Sequence, residues 1–199
     1  LAADYRPPAK RGDITDAAKE GARIITLIDG VFFQDCSVGH REILGALAQG
    51  VRVIGASSMG ALRAAELAPL GMEGVGTIFR LYRDGILTSD DEVALVYDPE
   101  TNLPLSEPLI NIRCTIRAAE REGVLSPASA ELLLSIAQSL YFPERTWEAI
   151  CHGAGERISH EERERFAGFL STSAVDQKRA DALEAIARTR EIAAEQGLI

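Results

Sequence analysis

Val51-Arg52-Val53-Ile54-Gly55-Ala56-Ser57-Ser58-Met59-Gly60-Ala61-Leu62-Arg63-Ala64-Ala65-Glu66-Leu67 reads as a strand, a tight turn and a helix in one unbroken run. Val51 to Ala56 is β-rich and apolar apart from Arg52. Ser57 to Gly60 permits a sharp turn, and Ala61 to Leu67 consists of strong helix formers throughout. Upstream, Ile24-Ile25-Thr26-Leu27-Ile28 is a second apolar run that ends in Asp29-Gly30, a buried strand with a turn at its carboxyl end. Between the two runs, Ile43, Leu44, Leu47 and Ala48 have helical spacing, and Gly50 suits a left-handed C-cap. Strand, helix, strand and helix in that order predict a parallel sheet with a right-handed crossover.

Outward from this core, Tyr5 to Asp13 contains Pro7 and Pro8 and predicts a fixed irregular loop, followed by a short helix to about Gly21 capped by Asp13 or Thr15. Glu92 to Tyr97 is expected to add a strand. Beyond Pro104 the pattern turns helical: Leu109, Ile112, Ile116 and Ala119 share a face, Ser126-Pro127 opens a second helix, and residues 145–151, 160–170 and 175–194 read as further helices. The expected fold is α/β, a small parallel sheet with flanking helices in the N-terminal half and an all-helical C-terminal half. The division falls between 1–104 and 105–199, the helical part packing on the core as one compact body.

Composition excludes several functions. A net charge of -9 disfavours phosphate backbones and anionic lipid surfaces, both of which need clustered Lys and Arg. No apolar run approaches the roughly 20 residues of a bilayer span, and the first residues form neither a signal nor a transit peptide, so a cytoplasmic location is expected. Cys36, Cys114 and Cys151 are odd in number and far apart, which suits reduced thiols and offers no metal site.

Ala56-Ser57-Ser58-Met59-Gly60 has the small-x-Ser-x-Gly form of a nucleophile elbow. Such a turn lifts the Ser58 hydroxyl to a helix N-terminus, where unpaired backbone N–H groups stabilise an oxyanion, Met59 N–H being the natural first donor. The plainer reading makes Ser57 or Ser58 an N-cap. His40, His152 and His160 are possible bases, none of them in a motif that singles it out. A serine can also be activated by a neutral lysine, whose pKa must fall from about 10.4 toward roughly 7 to 8. The chain has three lysines, Lys10, Lys19 and Lys178; Lys19 and Lys178 lie on polar, charged stretches, whereas Lys10 sits on the Pro-Pro loop beside Arg11 and is the candidate.

The strings PPAKRGDI, IDGVFFQ, HREIL, GASSMGALRAAEL, GMEGVG, YRDG, DDEVA and LSEPLINIR, between about residues 7 and 122, resemble the TfuA family in order and spacing. Members of that family act with YcaO enzymes, which use ATP to activate a peptide amide oxygen so that sulfur replaces it, as in the biosynthesis of thioamidated peptides. The resemblance implies a partner of a YcaO enzyme that hydrolyses a thiocarboxylated ThiS-like sulfur carrier through a Ser-Lys pair, here Ser58 and Lys10, and that helps YcaO engage its peptide. It implies no cofactor, and an upstream strand and helix that are missing before Leu1. In the expected reaction Ser58 Oγ attacks the thiocarboxylate carbon, Met59 N–H and Gly30 N–H hold the oxyanion, and hydrosulfide leaves. Arg63 or Arg11 meets the substrate anion, the alternative for Arg63 being an ion pair with Glu66 or Glu42. Asp29, Ser57, Glu66, His40, Asn111 and Arg113 are expected in supporting or substrate-binding places.

Three other stretches carry smaller expectations. Gly71 to Gly76 has the glycine count of a phosphate cradle but follows Pro69 and a helix, which makes it a loop. Val31-Phe32-Phe33 is either core or a docking surface for the carrier. Cys36 as a persulfide carrier is the alternative to serine chemistry, although nothing adjacent activates the thiol. A non-catalytic YcaO adaptor and a generic serine esterase remain as competing functions.

Overall fold

The computed structural model describes residues 2–32, 36–101 and 103–199, and the chain divides into two compact units, Leu1–Asp90 with Lys178–Ile199, and Asp91–Gln177. The first holds a parallel sheet of β1 (Ile24–Leu27), β2 (Arg52–Gly55) and β3 (Glu73–Gly74) in that order. Register is fixed by Ile24 opposite Arg52, Leu27 opposite Gly55, and Gly55 opposite Gly74. After α1 (Asp13–Lys19), the crossover from β1 to β2 is α2 (His40–Ala48); α3 (Met59–Leu67) and a short 3-10 turn lead from β2 to β3, and α4 (Gly76–Arg83) follows.

Two elements of this unit depart from expectation. The third strand comes from the glycine-rich stretch, where only Glu73 and Gly74 pair with β2, too short to leave a periodic signal. Helix α4 has no local start signal in the sequence, because its start is specified from a distance. Gly76 takes φ +94° against the Asp181 side chain, and Asp181 Oδ2 accepts from Ile78 N–H at 2.7 Å across 103 positions of sequence.

Asp181 belongs to the last helix of the chain. That helix, α9 (Gln177–Glu195), buries Ala185 and Ile192 against Ile54, Ala56 and Val75, while its Thr189 hydroxyl meets Thr26 at 2.6 Å. Its Arg188 bonds Glu73 at 2.6 Å. Burial opposes ionisation of Glu73, yet the Arg188 and Arg52 guanidiniums prevail and hold its carboxyl below the ordinary range. The interspersed charges of 175–194 thus conceal a face that covers the sheet, and the helix joins the α/β unit although 105–199 had been grouped together.

The second unit consists of α5 (Leu109–Arg121), α6 (Pro127–Ser139), α7 (Trp147–Ala154) and α8 (His160–Ser173) around Ile112, Ile116, Leu133, Ile150 and Phe166. Ser126 caps α6 by accepting from Ser129 N–H, as the Ser-Pro start predicts. Arg145 is fully buried: it donates to the carbonyls of Ala137 and Asp91, each at 3.0 Å, and pairs with the Asp91 carboxylate. Residues 92–97, expected as a strand, instead follow a 3-10 turn (Asp90–Glu92) and contribute only one antiparallel bridge, Tyr97 to Pro104. Glu92 points inward there to meet Arg113, so the inward face of that alternating pattern carries an ion pair.

Candidate functional site

The turn after β2 is held by backbone bonds to β1. Ala56 N–H donates to Leu27 C=O at 3.1 Å and Gly60 N–H to Ile28 C=O at 3.2 Å, which pins both ends of the Ser57-Ser58-Met59 corner. This closeness requires glycine: a Cβ at Gly60 would lie 1.8 Å from the Leu27 carbonyl oxygen, and one at Gly55 would lie 2.1 Å from the Gly60 carbonyl oxygen. Squeezed between these contacts, Ser57 takes φ +68°, the one non-glycine positive φ among the described residues, at a cost of about 1 kcal/mol or more.

Ser58 follows as the N-cap of α3, yet its side chain caps nothing. The residue is 0% exposed and Oγ has no hydrogen-bond partner. A buried hydroxyl left unpaired costs about 1 to 3 kcal/mol, so the plain N-cap reading fails on its own terms. Among the described residues, the N–H groups of Ser58, Gly60, Ala61 and Leu62 each reach a carbonyl, and Met59 N–H between them does not. The corner therefore combines an orphan hydroxyl, an orphan backbone donor and a strained residue at the head of a helix. These features stabilise nothing locally and are typical of sites kept for use.

A second segment closes on the corner from the far edge of β1. Ala9 bridges Gly30 in parallel fashion, with Ala9 N–H donating to Asp29 C=O at 3.0 Å and Val31 N–H to Ala9 C=O at 2.9 Å. In such a bridge the polar groups of Gly30 itself turn to the opposite edge, the edge of β2 and its turn. Gly30 is pressed onto the corner: a Cβ there would lie 2.8 Å from Met59 Cγ. Met59 N–H and Gly30 N–H, the two expected oxyanion donors, thus belong to residues in contact. Glu42 fastens the Pro-Pro loop to α2, accepting from Gly12 N–H at 2.7 Å and Gly39 N–H at 3.0 Å, a role its HREIL string did not reveal.

Lys10 lies one residue beyond this bridge. Its backbone N–H donates to Asp13 at 2.9 Å, its side chain is exposed, and Ser58 Oγ has no hydrogen-bond partner among the described residues. Arg11, also exposed, donates its N–H to Cys36 C=O at 2.6 Å. The buried lysine is Lys178, at 8% exposure, whose Nζ lies 3.3 Å from Asp29 Oδ1. Sequence hid it, because its neighbours on α9 are charged and only the docked helix turns this position inward.

His40, Glu66 and Arg63 meet between α2 and α3. Glu66 Oε2 is 2.7 Å from His40 Nε2 and accepts from Arg63 at 2.6 Å, while Arg63 Nε also donates to Val38 C=O at 2.9 Å. Arg63 is thereby occupied by the ion pair weighed as its alternative. Asn111 and Arg113 stand in the helical unit: Asn111 Nδ2 donates to Asp176 at 3.0 Å, and Arg113 grips Glu92 through Nε at 3.0 Å and a terminal nitrogen at 2.7 Å. Val31 and Phe32 are half-buried, Phe33 lies outside the described residues, and Cys36 is exposed. Among the described residues no cluster of His, Cys, Asp and Glu is arranged for a metal, and no helix is long and apolar enough to cross a membrane.

A family model described as TfuA-like protein matches residues 29–146. The match takes in Asp29, Gly30 and the whole corner, and leaves out Lys10 and Lys178. No curated protein matches the chain.

Proposed function

Because the chain belongs to the TfuA-like family, we propose that it partners a YcaO enzyme in peptide backbone thioamidation and that Ser58 hydrolyses a thiocarboxylated ThiS-like carrier to release sulfide. Ser58 Oγ forms a bond to the carrier's terminal acyl carbon and passes its proton to Lys10, which stands exposed on its loop and reaches Oγ only after carrier docking has opened the corner. As the carbon–sulfur bond breaks, that proton passes from Lys10 to the sulfur, so the group that leaves is hydrosulfide, and water then cleaves the acyl ester to a carboxylate. The observation that carries this reading is the orphan Ser58 hydroxyl beside the orphan Met59 N–H, a nucleophile and an oxyanion donor left unsatisfied on a strained corner. Ser58 is closed to solvent in this state, so carrier docking must part the corner's surroundings before the acyl carbon reaches Oγ.

The same burial supports a second reading, a non-catalytic adaptor that tightens YcaO's hold on its peptide. One experiment separates the two. Thiocarboxylated carrier is incubated with the wild type and with Ser58→Ala, and sulfide is measured; release that depends on Ser58 supports the hydrolase, whereas equal release from both removes it and leaves the adaptor. A generic serine esterase predicts turnover of an activated small ester with no preference for the carrier.

A further inference from the structure

We propose that Lys178 is a substrate-binding residue, a fixed ammonium that receives the anionic C-terminal acyl group entering the Ser58 corner and exchanges Asp29 for it. The inference rests on the reading that an acyl anion is the ligand of this corner, and adds the group that recognises its charge. Of the chain's three lysines only Lys178 is buried, and it is buried at the end of β1. The chain of contacts is short: Lys178 Nζ to Asp29 Oδ1 is 3.3 Å, Asp29 is bonded to Gly30, and Gly30 packs on Met59, the residue after Ser58. The carboxyl end of a parallel strand is where such sheets bind ligands.

The pair is unequal in a useful way. The Lys178 side chain is 9% exposed and the Asp29 side chain 49%. Asp29 can turn into water at little cost, whereas the enclosed Lys178 side chain has little solvent to turn into. An incoming carboxylate or thiocarboxylate therefore replaces Asp29 opposite a positive charge that stays in place, and the buried ammonium is never left without an anion. Arg63 is committed to Glu66 and Val38, and Arg11 stands exposed on the Pro-Pro loop, whereas Lys178 offers a buried cation at the α9 end of the corner.

The test compares a short Gly-rich peptide ending in a free carboxylate with the same peptide ending in an amide, titrated into the full chain by calorimetry. The wild type and Ser58→Ala should both bind the acid at least tenfold more tightly than the amide. Lys178→Met should erase that preference while keeping the amide affinity, Lys178→Arg should keep the preference, and Asp29→Asn should strengthen acid binding by removing the competing anion. Lys178→Gln serves as the neutral variant if Lys178→Met does not fold. No acid preference in the wild type, or a preference that survives in the neutral Lys178 variants, overturns the proposal. Because binding is read without turnover, an acid preference in a protein that releases no sulfide would leave this inference standing while removing the hydrolase.

Discussion

Replacing Ser58 by alanine should make the protein more stable. The Oγ atom is fully buried and unpaired, so the folded state carries the desolvation penalty of a hydroxyl, about 1 to 3 kcal/mol, with nothing to offset it. Against this, the substitution removes one heavy atom and a handful of dispersion contacts of about 0.1 to 0.2 kcal/mol each, together roughly 1 kcal/mol. The balance is a gain of about 1 kcal/mol, which for a chain of this size raises Tm by roughly 2 to 4 °C. The assay must report on the right unit. The single tryptophan, Trp147, sits in the helical unit, so its fluorescence does not follow the sheet; hydrogen exchange of the β1 and β2 amides does. A loss of 1 kcal/mol or more in Ser58→Ala would refute the reasoning, since it would mean that the hydroxyl is satisfied in solution.

Gly60→Ala should abolish stable folding or cost about 3 kcal/mol or more, because the new methyl meets the Leu27 carbonyl at 1.8 Å with backbone on both sides; expression and exchange protection of β1 check this. Arg145→Ala should destabilise the helical unit by about 3 kcal/mol or more by taking this buried donor from the Ala137 and Asp91 carbonyls and leaving a cavity in its place, read from Trp147 fluorescence during urea unfolding. Burial and the neighbouring Asp176 carboxylate push the Glu107 carboxyl above its ordinary range. An acid whose folded pKa is raised loses stability as pH rises through that pKa, so Glu107→Gln should stabilise the helical unit at pH 7 and gain nothing below the usual carboxylate range, as urea midpoints across pH will show.

The parallel core was legible because each of its signals is local. Ile24 to Ile28, the α2 spacing and the run from Val51 to Leu67 each fix their own element, and the order of elements fixes the topology. The corner was legible for the same reason: a serine between small residues at a strand–helix junction has few backbone options. What escaped was specified from far away in sequence. Asp181 starts α4 across 103 positions, and Lys178 is buried by a helix whose composition reads as solvated. Glu92 was read as part of a strand because its partner Arg113 lies 21 positions on. The lysines were the hardest to place: loop rigidity draws attention to Lys10, whose side chain is exposed, while the burial of Lys178 shows only once α9 docks.

In the proposed hydrolysis Ser58 Oγ becomes the acyl acceptor. Rapidly quenched wild-type protein mixed with thiocarboxylated carrier, digested and analysed by mass spectrometry, should carry the carrier's C-terminal acyl group as an ester on Ser58, and the adduct should be absent from Ser58→Ala. Sulfide released with no acyl group on Ser58, or an adduct that forms elsewhere and persists in Ser58→Ala, would contradict it.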